Sequence, residues 1–403
     1  MVATLVTARA VLVDASTFLD GGGLLVEAGE VRKLLANRSA VLRARARARR
    51  VLDLGDVVLA PGWVNAHAHL ELGALAGRTP RGEEFGAWVR AVLAAKAACS
   101  PVDFERAVAR GAADSLRCGV TSLADIDSTG AARRGLRGSS LRVWSMRELL
   151  DAYDPSRTAL ALSRVRRALP SSPRRREGFS PHAPFTASPA LLAAVAVLAR
   201  RRRAPVAVHW SESAAEEAWL RRGAGPLAAL LGPSPRRSGL ELLERAGLLA
   251  APLALVHGNF PARGEPQRIA RAGAVVVHCP GSHAWFERPP FPWRTYLRAG
   301  VRLALGTDSL ASNESLDLRR EMTLARRSAP WLSPEQVFEM ATAGGAAALG
   351  MEGRVGTLHV GACADFAAHA VSGARDAVLE TLTHGTAEVV GVWVAARAAS
   401  ARI

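Results

Sequence analysis

Two histidines, His67 and His69, close an apolar run that begins at Val57 and passes through Pro61-Gly62 into Trp63-Val64-Asn65-Ala66. On a strand, residues i and i+2 face the same side, with Cα atoms roughly 6.6 Å apart. Two imidazoles placed that way can share one metal ion. On a wet surface such a pair is a common accident. At the end of a buried strand each neutral ring needs a partner, because an unpaired polar group there is costly. His209, His257, His278 and Asp308 repeat the pattern, each ending an apolar stretch.

The elements that must position these residues alternate along the middle of the chain. Helical stretches at 102–117, 189–202, 238–248, 266–271 and 291–299 lead into strand-like runs at 120–125, 206–209, 253–257, 274–278 and 301–308. This βα punctuation over 61–349 has the length of an eight-stranded parallel barrel, whose strand C-termini converge on one mouth. An open doubly wound sheet is the alternative, but no Gly-X-Gly-X-X-Gly or Walker loop supports it. Residues 1–60 read as short strands separated by turns at Asp20-Gly21-Gly22 and Gly55-Asp56. The far end is similar: a turn-rich hairpin at 356–361 and strands at 366–371 and 389–395. The expected architecture is α/β, a distorted (β/α)8 TIM barrel over 61–349. A small β-sandwich-like domain is formed by both chain ends, residues 1–60 plus 350–403.

With 403 residues, 49% of them hydrophobic, the chain can fill one large barrel and a satellite. The net charge of +16 is carried almost wholly by arginine, since Lys33 and Lys96 are the only lysines. Such a field favours anionic ligands. Arg43, Arg45, Arg47 and Arg49 alternate, which on a strand puts them on one solvated face. Arg174-Arg175-Arg176 reads as a loop, and Arg200 to Arg203 as the solvated end of an alanine-rich helix. No finger, helix-turn-helix or aromatic interleaving accompanies these runs, so no specific nucleic-acid partner is expected. Cys99, Cys118, Cys279 and Cys363 lie far apart, with neither zinc-ribbon nor disulfide-framework spacing. A reducing compartment, no leader, no membrane span and a cytoplasmic location are the expectations.

Six stretches, PGWVNAHAHLEL (61–72), SPHAPFTASP (180–189), VHWSES (208–213), LVHGNF (255–260), VHCPGSH (277–283) and ALGTDSLASN (304–313), resemble the amidohydrolase superfamily. The likeness is to its cytosine/adenosine deaminase and chlorohydrolase branch. GRVGTLHVGACADF (353–366) resembles the stretch that returns such chains to their small domain. The resemblance implies a hydrolase acting on carbon–nitrogen bonds, with His67, His69, His209 and Asp308 as metal ligands. Three imidazoles and one carboxylate leave a position open for water, as catalytic zinc requires. Zinc is the first choice of divalent metal, and iron or manganese also suits nitrogen and oxygen donors. Binuclear relatives bridge two metals with a carboxylated lysine. Neither lysine here lies at a barrel-strand end, so one ion is expected.

The resemblance also implies three catalytic roles. Glu212 carries a proton from the attacking water to a ring nitrogen and the leaving amine. His257 orients the water, and Asp308 also accepts a proton. Read without the resemblance, Asp308 is a turn residue after Gly306, and Glu212 is an acid at a helix N-terminus, as Glu216 and Glu217 remain. His182 would face the sugar of a nucleoside, against the plain reading of a satisfied surface histidine. His278 would support the site or touch substrate, while Cys279 reads as packing. His359, His369 and His384 fall in the small domain with no catalytic role. His69-Leu70-Glu71 also fits the start of a nucleic-acid deaminase motif, but its Pro-Cys-X-X-Cys partner is missing. Glu71 is left to touch substrate or brace the first loop.

His283, followed by Ala284-Trp285-Phe286-Glu287-Arg288-Pro289-Pro290-Phe291-Pro292, replaces the Ser-Asn usual in adenosine-type relatives. With Phe85-Gly86-Ala87-Trp88-Val89, it resembles the branch that deaminates 6-amino-6-deoxyfutalosine in menaquinone biosynthesis. Trp88 and His283 are therefore candidate substrate contacts, and Arg288 and Arg81 candidate partners for that ligand's carboxylate. Other aminated or chlorinated rings are the alternative: adenosine, methylthioadenosine, adenosylhomocysteine, guanine or a triazine. A non-enzymatic scaffold is disfavoured by the intact ligand set. Many relatives dimerise, but no residue here marks a surface for a homodimer.

Overall fold

A computed structural model describes residues 3–82 and 85–401. Eight parallel strands follow one another around a barrel: β1 (Trp63–Ala68), β2 (Val120–Asp127), β3 (Arg142–Leu149), β4 (Arg175–Pro181), β5 (Val206–Trp210), β6 (Leu253–His257), β7 (Val275–His278) and β8 (Arg302–Leu305). Each pairs in parallel with the next. β5, β6 and β7 are buried at every position, as expected of strands covered on both faces. Several helices between them start at side-chain caps. Ser100 with Asp103 and Ser238 with Glu241 form reciprocal capping boxes, and Ser188 caps the helix that Pro189 begins.

The barrel closes at its mouth. Past β8, the N–H groups of Thr307 and Asp308 both donate to His67 O, at 2.9 and 3.1 Å, and Ala68 pairs with Asp308. Asn65 Nδ2 donates to Thr307 Oγ1 at 2.8 Å across the same seam. Gly306 permits this approach, since a Cβ there would lie 2.8 Å from the Cβ of His67. The closure therefore sets the carboxylate of Asp308 beside His67 of β1 and His69 just past its end.

Both chain ends build two further sheets. One has four strands, in the order Glu30–Leu35, Gly23–Glu27, Thr4–Thr7, Arg50–Asp53; the other has six, in the order Arg397–Ala401, Glu388–Val394, Phe366–Ala370, Val58–Pro61, Ala10–Leu12, Phe18–Asp20. Val6, Val11, Leu24, Val31, Leu59, Leu358, Phe366 and Trp393 share a core there. Val58–Pro61 runs almost directly into β1, so the satellite fixes where the histidine strand enters. Arg142 of β3 and Asp365 fasten the satellite to the barrel by a buried bidentate pair, at 2.8 and 3.1 Å.

Several sequence expectations are corrected. The alternating arginines do not lie on a strand: Arg38–Arg45 is a helix capped by Asn37, whose side chain accepts from Ala40 N. The intervening alanines are good helix formers, and Val41 is buried against Leu5 and Leu35. Residues 356–361 form no hairpin; they cross the satellite irregularly, Leu358 N–H donating to Val13 O and Gly361 N–H to Val31 O. Arg175 and Arg176 belong to β4 rather than a loop, and Arg175 donates to the carbonyls of Leu136 and Ser139.

Candidate functional site

His67, His69, His209, His257 and Asp308 converge at the barrel mouth. Donor atoms of His67, His69 and Asp308 lie within 4.8 Å of one another, as do those of His67, His209 and His257. His69 Nε2 and His209 Nε2 are 3.2 Å apart, and Asp308 Oδ1 is 3.7 Å from the Nε2 atoms of both His67 and His69. The backbone is forced here. His257 has φ 76° and Asp308 φ 56°, left-handed values that persist only where the surroundings hold them.

The donors suit a cation. His209 Nδ1 meets the carbonyl of His182 at 2.9 Å, so the ring carries its proton there and turns a bare Nε2 to the cluster. Both ring nitrogens of His67 are buried with no hydrogen-bond partner, and the ring takes part in both clusters of converging donor atoms, so a ligand there would satisfy it. Burial, then neighbouring imidazoles, holds His69 and His209 well below the usual histidine range, and burial lowers His257 to about 3. Burial alone would raise Asp308, but the surrounding imidazoles outweigh it and hold it well below the carboxylate range. With His69, His209 and His257 favoured as neutral rings and Asp308 as an ionised carboxylate, these groups have the protonation states a divalent metal requires. The cluster is a divalent-metal site.

Glu212 stands just past β5. Burial pushes its carboxyl up to about 7; Arg288, with Nη2 at 3.4 Å from Oε1, opposes this, and Asp308 adds to it. Its Oε2 is 3.9 Å from His257 Nε2. A carboxyl that titrates near neutrality beside a metal cluster can both take and give a proton.

The other sequence candidates divide. His182 directly follows β4; its Nδ1 meets Thr186 Oγ1 at 2.7 Å and its ring lies 4.8 Å from that of His209. His283 bonds Asn259 Oδ1 through Nδ1, at 3.1 Å. His278 is buried in an aromatic cage, stacked on Phe291 at 3.8 Å with Trp293 edge-on. Glu71 is buried and bound by the backbone N–H groups and hydroxyls of Ser128 and Thr129, so it braces the loop after β2. Trp88 donates to Ala311 O at 2.9 Å and packs against Phe286. Arg81 is spent on an exposed pair with Glu314.

Sequence reasoning missed Lys96 and Ser312. Lys96 is off the barrel strands, yet its helix, Phe85–Ala97, brings Nζ to 2.7 Å from Ser128 Oγ. After burial itself, the charge of Lys96 is the next factor keeping His182 neutral, at about 4. Lys96 also lines a cavity of about 800 Å³ with Asp127, Glu148, Arg157 and Arg164. Its rarity in an arginine-rich chain was the available signal. Ser312 donates to Asp308 Oδ2 at 3.0 Å, leaving Oδ1 to face the histidines. A hydroxyl four residues after a candidate ligand was the clue.

The amidohydrolase family model matches residues 58–398. An aminodeoxyfutalosine deaminase of Deinococcus radiodurans is 33% identical over 74% of this chain and 75% of its own length. A 5-methylthioadenosine/S-adenosylhomocysteine deaminase of Syntrophobacter fumaroxidans is 32% identical over 86% of this chain and 81% of its own. The crystal structure of a Xanthomonas campestris adenosine deaminase with bound zinc superposes with a TM-score of 0.82 and 26% identity, covering 98% of this chain and 92% of that one. Among the described residues, no helix is long and apolar enough to cross a membrane.

Proposed function

Since the chain belongs to the amidohydrolase family, we propose that it is a metal-dependent deaminase of an adenine-type nucleoside, with 6-amino-6-deoxyfutalosine as its preferred substrate. The observation that carries the reaction class is Glu212, a buried carboxyl poised near pH 7 beside the histidine–aspartate cluster. His67, His69, His209 and Asp308 would hold the metal, which when bound supplies the Lewis acidity that makes water a nucleophile at neutral pH. Glu212 takes one proton of the water and delivers it to the ring nitrogen next to the attacked carbon; the second proton of the water, accepted by Asp308 as the carbonyl forms, goes to the leaving amine, which departs as ammonia. His257, kept neutral by burial, orients the water through Nε2. Asp308, favoured as an ionised carboxylate by the histidines around it, is the second proton acceptor.

Two features favour the larger nucleoside. The loop from His283 to Phe291 borders the site with aromatic and proline residues. Beside the mouth, the cavity with Lys96, Arg157 and Arg164 offers cations to a carboxylate-bearing tail. The similarity to the Deinococcus deaminase agrees with this reading. This substrate would place the enzyme in menaquinone biosynthesis, with zinc as the metal and the cytoplasm as its compartment. The second reading is methylthioadenosine or adenosylhomocysteine. For adenosylhomocysteine it is favoured by the mixed lining of the same cavity, where Asp127 and Glu148 stand with the cations as its amino-acid tail would require; the similarity to the Syntrophobacter deaminase agrees with either ligand.

An ammonia-release assay separates the readings. Aminofutalosine, adenosine, methylthioadenosine, adenosylhomocysteine and guanine are compared by kcat/KM on metal-loaded protein. Aminofutalosine is expected to lead. A lead of about tenfold by adenosylhomocysteine would refute the substrate assignment and leave the deaminase, since charged and hydrogen-bonding groups discriminate by more than packing does. Inertness of all five would refute both.

A further inference from the structure

Glu216 is wholly buried in the first turn of the helix Ala214–Arg222, and it does not reach the metal cluster. Its position relative to the cap Ser213 is that of the acid in a capping box. In the boxes at Ser100/Asp103 and Ser238/Glu241, that acid bonds the backbone N–H of the cap residue itself. Glu216 reaches past its cap instead. Oε1 accepts the N–H of Ser211 at 3.0 Å and Oε2 the N–H of Glu212 at 2.8 Å. Its carboxyl group therefore holds the turn from β5 into the helix, not the helix start, which Ser213 already caps through Glu216 N.

That turn needs holding. Ser211 has φ 52°, a left-handed value that a residue with a side chain resists. β6 grips the other side: Gly258 N–H donates to Trp210 O at 2.9 Å and Asn259 N–H to Ser211 O at 2.8 Å. Asn259 Nδ2 donates to Glu212 O at 2.9 Å. Every backbone polar group from Trp210 O to Glu212 O is thus partnered, and among the described residues the side chains in the clamp are Glu216 and Asn259. The carboxyl of Glu212 leaves this turn to end 3.9 Å from His257 Nε2.

We propose that Glu216 is a positioning residue for catalysis, fixing the backbone from which Glu212 reaches over the metal cluster. The proposal rests on Glu212 as the proton carrier. Glu216→Gln keeps the size of the side chain but turns an amide N–H₂ toward one of the two backbone donors. The turn then loses one bond and gains a repulsion.

The test is a double-mutant cycle in metal-loaded protein, using the nucleoside with the highest kcat/KM. E216Q is expected to lower kcat by about 10–100-fold, the effect of displacing a reacting group by about 1 Å. KM is expected to stay within about threefold and metal content to be unchanged, since neither substrate nor cluster touches Glu216. In the Glu212→Gln background the same substitution should change kcat by less than about twofold, because the group it positions is already gone. An equal fold-loss in both backgrounds marks a merely structural role and overturns the proposal; so does E216Q at wild-type kcat. Wild-type kcat in Glu212→Gln alone would instead remove the proton carrier and, with it, the reading this rests on. If E216Q does not accumulate as folded protein, Glu216→Asp, with both acceptors on a stem one carbon shorter, is put through the same two backgrounds under the same criteria.

Discussion

Arg288→Met should move the pH dependence of catalysis toward alkali. The Arg288 guanidinium lies 3.4 Å from Glu212 Oε1, and both side chains are about nine-tenths buried. Burial raises Glu212 to about 7, and Arg288 is the strongest group opposing that rise. At 3.4 Å and an effective dielectric constant of about 20, the charge pair is worth at most roughly 5 kcal/mol. An opposite charge at such distance ordinarily accounts for about 1–3 pKa units. Methionine keeps the apolar bulk and removes the charge. A bound metal acts on Glu212 equally in both proteins, so the difference isolates Arg288. If Glu212 must be ionised to take the proton of water, the acidic limb of kcat/KM should rise by about 1–3 units. A two-unit shift from 7 leaves about 1% of the groups ionised at pH 7, down from about half, so the rate there should fall roughly 50-fold and recover near pH 9. The assay is kcat/KM for ammonia release from pH 5 to 10. A limb that stays put, or a loss equal at every pH, would refute the role given to the pair.

Three further outcomes are expected. Glu212→Gln should keep its metal and lose about 10²–10⁴-fold in kcat, because an amide cannot carry the proton; an unchanged kcat removes Glu212 from the reaction. Ser312→Ala takes the donor from Asp308 Oδ2 and should weaken metal affinity by about 10–100-fold, read by competition with a chelator; unchanged affinity refutes the orienting role. Asp365→Ala leaves Arg142 buried and unpaired, at a cost of about 3–5 kcal/mol. For a chain of this length that lowers Tm by roughly 4–6 °C, with kcat of the folded protein retained; an unchanged Tm would mean the pair fastens nothing.

The sequence carried the barrel because its strands are short, uniformly apolar and bounded by capped helices. Val206-Ala207-Val208 and Val275-Val276-Val277 have little else they can be. β3 and β4 were harder to read: Arg142, Arg147, Arg175 and Arg176 break their apolar pattern, and each is tolerated through partners distant in sequence. The arginine run at 43–49 fits period two on paper, but tertiary burial of Val41 and the Asn37 cap select a helix through Arg45, and Arg47 and Arg49 fall in the turn after it. At the site, residues at strand ends were legible because local sequence places them there. Lys96 reaches the mouth only through the packing of a helix after the first loop. Glu216 looked like an ordinary helix-start acid, because nothing local shows that its carboxyl group turns back to Ser211 and Glu212. Glu71 shows the reverse: a residue type suited to substrate contact whose carboxyl is held by Ser128 and Thr129.

The central claim is one divalent metal held by His67, His69, His209 and Asp308, and metal analysis of the purified chain tests it most directly. Elemental stoichiometry is measured after loading with zinc and removal of loose ions, for the native chain and for His209→Ala. The account predicts about one equivalent per native chain, as three imidazoles and one carboxylate make a single catalytic site, and loss of tight binding in His209→Ala. Two tightly held ions, none after reconstitution, or undiminished binding in His209→Ala would contradict it.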